Sequence, residues 1–154
     1  MLRMAVADYP DLMVDDREVR REGYSYMVDT LAEIRGEEGD APLALIIGQD
    51  AVNHFDHWHR WREVFDLAHL VVMRRPGSRH AYSGELFEVL QPRMTDDPAA
   101  IARAPQGCVL NLEVTQLEIS STEIRDLISR GRSPRFLLPE SVIRYIKAHR
   151  LYGG

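Results

Sequence analysis

The chain has 154 residues, 45% of them apolar and 28% charged, with a formal charge of −5. That length supports one domain with a real core, and the acidic balance argues against a general binder of nucleic acid or of a membrane surface. A single cysteine, Cys108, excludes an internal disulfide framework and suits a reducing cytoplasm, and no stretch reads as a signal peptide or a membrane span.

Residues 1–7 read as the last turns of an amphipathic helix with no start signal ahead of them. Residues 11–15 form a strand candidate after Pro10, and the charged run 15–22 reads as a solvated loop. Beyond Gly23, residues 24–35 place Met27, Val28, Leu31 and Ile34 at helical spacing. Ser25 is the candidate cap of that helix, and 36–42 is a polar loop.

Ala44-Leu45-Ile46-Ile47 is apolar without alternation, the pattern of a parallel strand covered on both faces. Gly48 ends it at a turn where backbone can approach a ligand. Asp50 follows at the carboxyl end, the edge at which open α/β sheets bind ligands. Trp58-His59-Arg60-Trp61 then offers aromatic faces beside a cation; the competing reading is a plain strand–helix unit with both tryptophans in the core. A helix from Trp58 to about Asp66 would carry Trp61, Val64, Phe65 and Ala68 as its apolar stripe. Trp61 is then core, while Trp58, in the first turn, is free to face a ligand. His54, His57 and His59 lack metal-site spacing, with no His-Glu-x-x-His and no cysteine pair, so no metal ligand is assigned. Phe55-Asp56-His57 imitates a nucleotide-binding Phe-Asp-Pro-x-His signature but lacks its proline and the preceding glycines.

Residues 69–73 are a second buried parallel strand. Arg74-Arg75-Pro76-Gly77 leaves its carboxyl end as either a phosphate or carboxylate contact or a solvated loop. The span 78–106 is the least legible, with a short helix over 85–90 and breaks at Pro92, Pro98 and Pro105. Residues 108–114 form a strand in which Cys108 serves as a small apolar residue. Residues 119–125 open a helix that stops at Gly131. Ser120 and Glu123 make a capping box, with Ile119 and Ile124 as its hydrophobic staple. The same turn is an anion site by its free N–H groups and hydroxyls, with Arg125 one turn in; the two readings compete because Glu123 brings negative charge. A last helix covers 139–149, with Pro139 in its first turn and Val142, Ile143 and Ile146 buried.

Taken in order, these stretches resemble one family. Ser25-Tyr26-Met27-Val28-Asp29-Thr30-Leu31 resembles its Ser-Tyr-Thr-x-Asp-Thr-Leu segment. Ile46-Ile47-Gly48-Gln49-Asp50-Ala51 with Trp58-His59-Arg60-Trp61 resembles its Ile-Ile-Gly-x-Asp-Ala and Trp-His-Arg-Trp block. Ala68-His69-Leu70-Val71-Val72 with Arg75-Pro76-Gly77, the 119–125 turn, and Arg135-Phe136-Leu137-Leu138-Pro139 continuing to Tyr145-Ile146 and Leu151-Tyr152 resemble its remaining motifs. The family is that of the bacterial nicotinate-nucleotide adenylyltransferases, of the deamido branch of NAD synthesis.

The resemblance implies a Rossmann-like nucleotidyltransferase fold, α/β with a mostly parallel sheet. It implies transfer of AMP from ATP to nicotinate mononucleotide, giving deamido-NAD and pyrophosphate, with Mg²⁺ on the triphosphate. It places Tyr26, Met27, Asp50 and Trp58 on nicotinate mononucleotide, and Gly48, Ser120, Ser121, Thr122 and Arg125 on ATP. Met27 departs from the family's threonine. The larger departure is the family's Phe-Asp-Pro-x-His-x-Gly-His motif, whose histidines bind the triphosphate; it occurs nowhere in this sequence, so no catalytic residue is assigned. The expectation is a single domain over 1–154, the C-terminal portion of a nucleotidyltransferase domain lacking the first strand–helix–strand unit. Such a chain would be truncated and inactive, with an apolar strand edge open to self-association. It would be cytoplasmic, with no nucleic-acid or membrane partner. One rival is a non-catalytic mononucleotide-binding module that keeps the Trp58 and Ser120 sites; another is a partner-dependent half that regains activity with the missing segment.

Overall fold

The computed structural model describes residues 1–74, 82, 84–115, 117 and 119–153. In chain order the elements are α1 (Leu2–Ala5), α2 (Arg17–Arg20), α3 (Met27–Glu38), β1 (Ala44–Gly48), α4 (Gln49–Val52), β2 (His69–Arg74), α5 (Gly84–Leu90), β3 (Met94–Thr95), β4 (Val109–Glu113), α6 (Ser121–Ser129) and α7 (Glu140–Ala148). The chain divides into two compact units, Arg17–Gln116 and Met1–Asp16 with Leu117–Gly154.

The Arg17–Gln116 unit is built on four parallel strands in the order β1-β2-β4-β3. His69 is paired with Ala44, and Val109 with both Leu70 and Met94. β2 has a neighbour on each side, and its Leu70 and Val72 are fully buried, as a continuous apolar run in a parallel sheet requires. β1 departs from the expected two-sided cover. Among the described residues it is an edge strand of the sheet, and Ile46 is 59% exposed. Under the sheet, Val28 and Leu31 of α3 pack with Val52, Phe55, Trp61, Val64, Phe65 and Leu90.

Several boundaries move for physical reasons. α3 starts at Met27, with Tyr26 as its extended N-cap residue, and runs through Gly36 to Glu38. Ser25 is not its cap, since its hydroxyl donates to the Glu18 carbonyl (3.1 Å). The charged run is not a free loop. It folds into α2, tied to α3 by Arg17–Glu37 (2.8 Å) and Arg21–Glu33 (2.7 Å), and Glu18 accepts from the buried Thr30 hydroxyl (2.6 Å). The expected helix from Trp58 is interrupted at Arg60, which takes left-handed backbone (φ 52°). Beyond it the chain forms a 3-10 turn over Trp61–Asp66 that still buries Trp61, Val64 and Phe65. Residues 61 and 64 share a face at three residues per turn as well as at 3.6, so spacing alone did not separate the two helix types.

In the second unit, Ile124 and Ile128 of α6 pack with Val142 and Ile146 of α7. α6 ends as expected at Gly131 (φ 68°), where Gly131 donates to the Ile128 carbonyl and Arg132 to that of Leu127 (both 2.9 Å). Pro139 is the residue before α7 rather than in its first turn. The strand expected over 11–15 does not form, and Met13 is 93% exposed. A strand exists only when a neighbour takes its N–H and C=O groups, and residues 11–15 join no ladder among the described residues.

Candidate active site

A pocket of about 360 Å³ is lined by Glu18, Ser25, Tyr26, Met27, His57, Trp58 and His59. Its floor follows from the core. Phe55 is fully buried, and its ring lies 4.9 Å from that of Trp58, which is half-buried and extended in backbone. The Arg60 reversal then turns the chain, and the His59 ring stacks on Tyr26 at 4.1 Å with 29° between planes. Tyr26 and Met27 mark the start of α3, where the first N–H groups lack partners within the helix and carry partial positive charge. Arg60 donates to Glu63 and, at 3.3 Å, to Asp29. The Arg60 hydrogen bond holds the Glu63 carboxyl below the usual carboxylate range, with His59 adding to the effect. Such a pocket suits a flat heteroaromatic ring carrying a small polar group.

Three of the four residues expected at the mononucleotide, Tyr26, Met27 and Trp58, therefore come together. Asp50 is exposed in the single turn of α4 and is not among the lining residues. Gly48 ends β1 in ordinary extended backbone (φ −76°), so the turn does not need glycine's conformational freedom. A Cβ there would meet nothing within 4 Å, which leaves the strand end open to a ligand. Glu18, Ser25, His57 and His59 were not assigned from the sequence. Only His59, adjacent to Trp58, carried a local signal.

Ser120 caps α6, Ser121 and Thr122 lie in its first turn, and Arg125 lies one turn further on. The cap is real, since Ser120 Oγ accepts the Glu123 N–H (3.1 Å). Ile119, the expected staple residue, is 39% exposed. Arg125 folds back to donate to the Ser121 carbonyl (3.1 Å) and hydroxyl (2.9 Å). Beside them, within the same unit, lies an apolar pocket of about 280 Å³ that includes Ser121, Ile124, Arg125 and Val142.

At the carboxyl end of the sheet the structure adds a cluster that sequence did not reveal. The Tyr82 hydroxyl approaches Asn111 Oδ1 (3.4 Å), and burial pushes the phenol above its ordinary value, against a hydrogen bond from Gln49. Arg74 pairs with Glu113 (3.1 Å). Arg75, Pro76 and Gly77 lie outside the described residues. Among the described residues no three His, Cys, Asp or Glu side chains converge as a metal site, and no helix is long and apolar enough to cross a membrane.

Residues 1–127 match the cytidylyltransferase-like family. The probable nicotinate-nucleotide adenylyltransferases of Acidithiobacillus ferrooxidans and Methylococcus capsulatus are 48% and 46% identical over 153 residues, 99% of this chain and 70% and 73% of theirs. That of Aeromonas hydrophila is 39% identical over 152 residues, 71% of its length. Solved structures of the Plasmodium falciparum nicotinic acid mononucleotide adenylyltransferase, complexed with APC and with NaAD, superpose with a TM-score of 0.56 at 13% identity. They are covered over 60% and 58% of their length and 85% of this chain, and show the same Rossmann-like α/β nucleotidyltransferase fold. With its parallel sheet and with this identity sustained along its length, the chain belongs to the nicotinate-nucleotide adenylyltransferases, a family of nucleotidyltransferases.

Proposed function

We propose that this chain serves adenylyl transfer from ATP to nicotinate mononucleotide, giving deamido-NAD and pyrophosphate. A phosphate oxygen of the mononucleotide attacks the α-phosphorus of ATP. The bond from that phosphorus to the β-phosphate oxygen breaks, and pyrophosphate leaves with the Mg²⁺ that entered as part of the MgATP substrate. In-line transfer of this kind needs positioning and charge stabilisation rather than a covalent enzyme intermediate. Trp58 stacks on the nicotinate ring, and Tyr26 with the first N–H groups of α3 takes the pyridine carboxylate. Met27 stands where the family pattern has threonine, so its backbone N–H donates in place of a hydroxyl. Asp50 meets the mononucleotide ribose and Gly48 the adenosine. Ser120, Ser121, Thr122 and Arg125 hold the ATP phosphates, for which Arg125 exchanges its bonds to Ser121 for stronger charge-assisted ones. The single cysteine and these substrates fit a cytoplasmic setting.

The observation that carries this reading is the pocket in which Trp58, Tyr26 and the start of α3 meet. The chain has two tryptophans, and Trp61 is only 5% exposed, so ligand quenching reports on Trp58. Nicotinate mononucleotide is expected to quench fluorescence saturably. Trp58→Ala is expected to weaken binding about tenfold, the worth of one aromatic stack. An absent quench, or an unchanged Kd for Trp58→Ala by calorimetry, would remove the reading.

A competing reading is the non-catalytic mononucleotide-binding module, which would keep the Trp58 pocket without turnover. Pyrophosphate release by these 154 residues with MgATP and nicotinate mononucleotide separates the two. Release above background is the result expected of adenylyl transfer and would eliminate the module; background release alone would leave it.

The β1 edge is assigned to pairing with a second copy of the chain. Ala44–Gly48 contains none of the lysine or proline that commonly blocks edge pairing, and Ile46 is exposed on it. Ile46→Lys is expected to shift the sedimenting species from dimer to monomer; a wild-type chain that stays monomeric would refute the assignment.

A further inference from the structure

α2 buries none of its own residues, and Val19 on it is 88% exposed. A single helical turn does not persist by itself, because ordering the nucleus costs more than its first hydrogen bonds return. The turn nevertheless closes, with Arg21 N–H donating to Arg17 O (3.0 Å), so it depends on the surface against which it lies. That surface is α3. Arg17 pairs with Glu37 (2.8 Å) and more loosely with Glu33 (3.8 Å), and Arg21 pairs with Glu33 (2.7 Å). Arg21 also donates to the Thr30 hydroxyl (3.1 Å), which donates onward to Glu18 (2.6 Å).

The same segment forms one wall of the mononucleotide pocket. Glu18 and Ser25 line it, and the Ser25 hydroxyl donates to the Glu18 carbonyl (3.1 Å). The ion-paired residues Arg17, Arg21, Glu33 and Glu37 are not among the lining residues. Attachment and ligand contact therefore fall on different side chains of one short segment. We propose that residues 17–25 are an ion-paired strap whose docking on α3 is coupled to mononucleotide binding, so that the docked strap completes the pocket wall and the bound ligand holds the strap down. This rests on the mononucleotide reading above and adds a conformational step to it. A ligand shifts such an equilibrium only through contacts that differ between the two states. Glu18 supplies one. Thr30 occupies its Oε1, and a carboxylate has further lone pairs that accept donors only; the ribose hydroxyls are the donors a mononucleotide brings. Coupling of this kind is reciprocal.

Native-state hydrogen exchange at the Arg21 amide tests the strap, because that amide is protected only while the turn is docked. It is expected to exchange faster than the amides in the middle of α3, which shows opening without unfolding of the unit. Glu33→Gln with Glu37→Gln removes the partners of both arginines and leaves every lining side chain in place. The double variant is expected to exchange about three- to tenfold faster at Arg21, the worth of two or three exposed ion pairs. Raising NaCl from about 0.05 M to about 0.5 M is expected to speed the wild-type amide similarly and to have little further effect on the double variant. Saturating nicotinate mononucleotide is expected to slow the wild-type Arg21 amide at least about fivefold.

An Arg21 amide that exchanges only together with α3 overturns the strap, since the segment then does not open separately. Unchanged exchange in the double variant overturns the ion-paired attachment. Saturable mononucleotide binding, followed at Trp58, without any slowing at Arg21 overturns the coupling while the mononucleotide reading stands. If the wild-type chain binds no mononucleotide, that reading fails and the coupling fails with it.

Discussion

Arg35→Met is expected to destabilise the Arg17–Gln116 unit by about 3–5 kcal/mol, the largest single-substitution effect expected in this chain. The side chain leaves the last turn of α3 and uses its whole donor fork on carbonyl oxygens. Nε and one terminal nitrogen donate to Leu67 O (2.9 and 2.6 Å), and that same nitrogen donates to Pro105 O (2.8 Å). The other nitrogen donates to Gly39 O (2.6 Å) and Ala41 O (2.7 Å). Three separate segments thus meet on one guanidinium: the loop after α3, the approach to β2, and the approach to β4. The exposed Gly39 and Ala41 carbonyls can return to water in the variant, so little of the loss comes from them. The Leu67 and Pro105 contacts are part-buried, and hydrogen bonds to a charged group are worth about 1.5–3 kcal/mol each; those two set the estimate. A cation at a helix C-terminus adds a smaller favourable contribution. Methionine keeps the apolar stem and so isolates the fork from its packing. Arg35→Lys is expected to recover only about 1 kcal/mol, because an ammonium is a point donor and cannot span the segments. Urea unfolding followed at the buried Trp61 reads this unit directly. A Met variant within about 1 kcal/mol of wild type would show that the fork is incidental.

The contrast between what sequence disclosed and what it hid comes from the range of the interactions. Leu70 and Val72 were legible because a strand paired on both sides must be apolar throughout. Val142, Ile143 and Ile146 were legible because an amphipathic helix repeats its burial locally. Gly131 was legible for the same local reason, as a helix stop. Trp58 and Tyr26 were assigned to one ligand through resemblance to a family, and the pocket they share appears only once α3 and the turn after Phe55 are folded. Glu18 carried no signal at all, because a charged run looks solvated until Thr30 and the glutamates of α3 are known to face it. β1 misled in the opposite direction. Its unbroken apolar run was read as cover on both faces, while Ile46 is exposed; composition reports what a strand can bury, not what lies against it. Arg35 and His69 were read only as a helix residue and a strand residue, since each makes its decisive contacts more than thirty positions away.

His69→Leu is expected to destabilise the same unit by about 3 kcal/mol, through hydrogen bonding rather than lost volume. His69 is completely buried at the start of β2. Cys108 N–H donates to its Nδ1 (3.0 Å), which requires a lone pair there, so the ring proton sits on Nε2 and is donated to Ala104 O (2.8 Å). One side chain therefore satisfies a part-buried N–H and a part-buried C=O on the segment that delivers β4 to its register, with Leu70 opposite Val109. Leucine fills similar space and leaves both groups unmet, at about 1–3 kcal/mol each, partly offset by its own burial. His69→Asn separates the two contributions, because its side-chain oxygen can stand in for Nδ1 while nothing reaches Ala104 O. Its loss is expected to fall below that of leucine only if Cys108 N–H dominates. Native-state hydrogen exchange gives the residue-level readout. The Cys108 amide is expected to exchange about a hundredfold faster in His69→Leu, the equivalent of roughly 2.7 kcal/mol of local protection, and near its wild-type rate in His69→Asn. If the Cys108 amide is equally protected in all three proteins, the imidazole does not hold this segment, and the register of β4 rests on its ladders with β2 and β3.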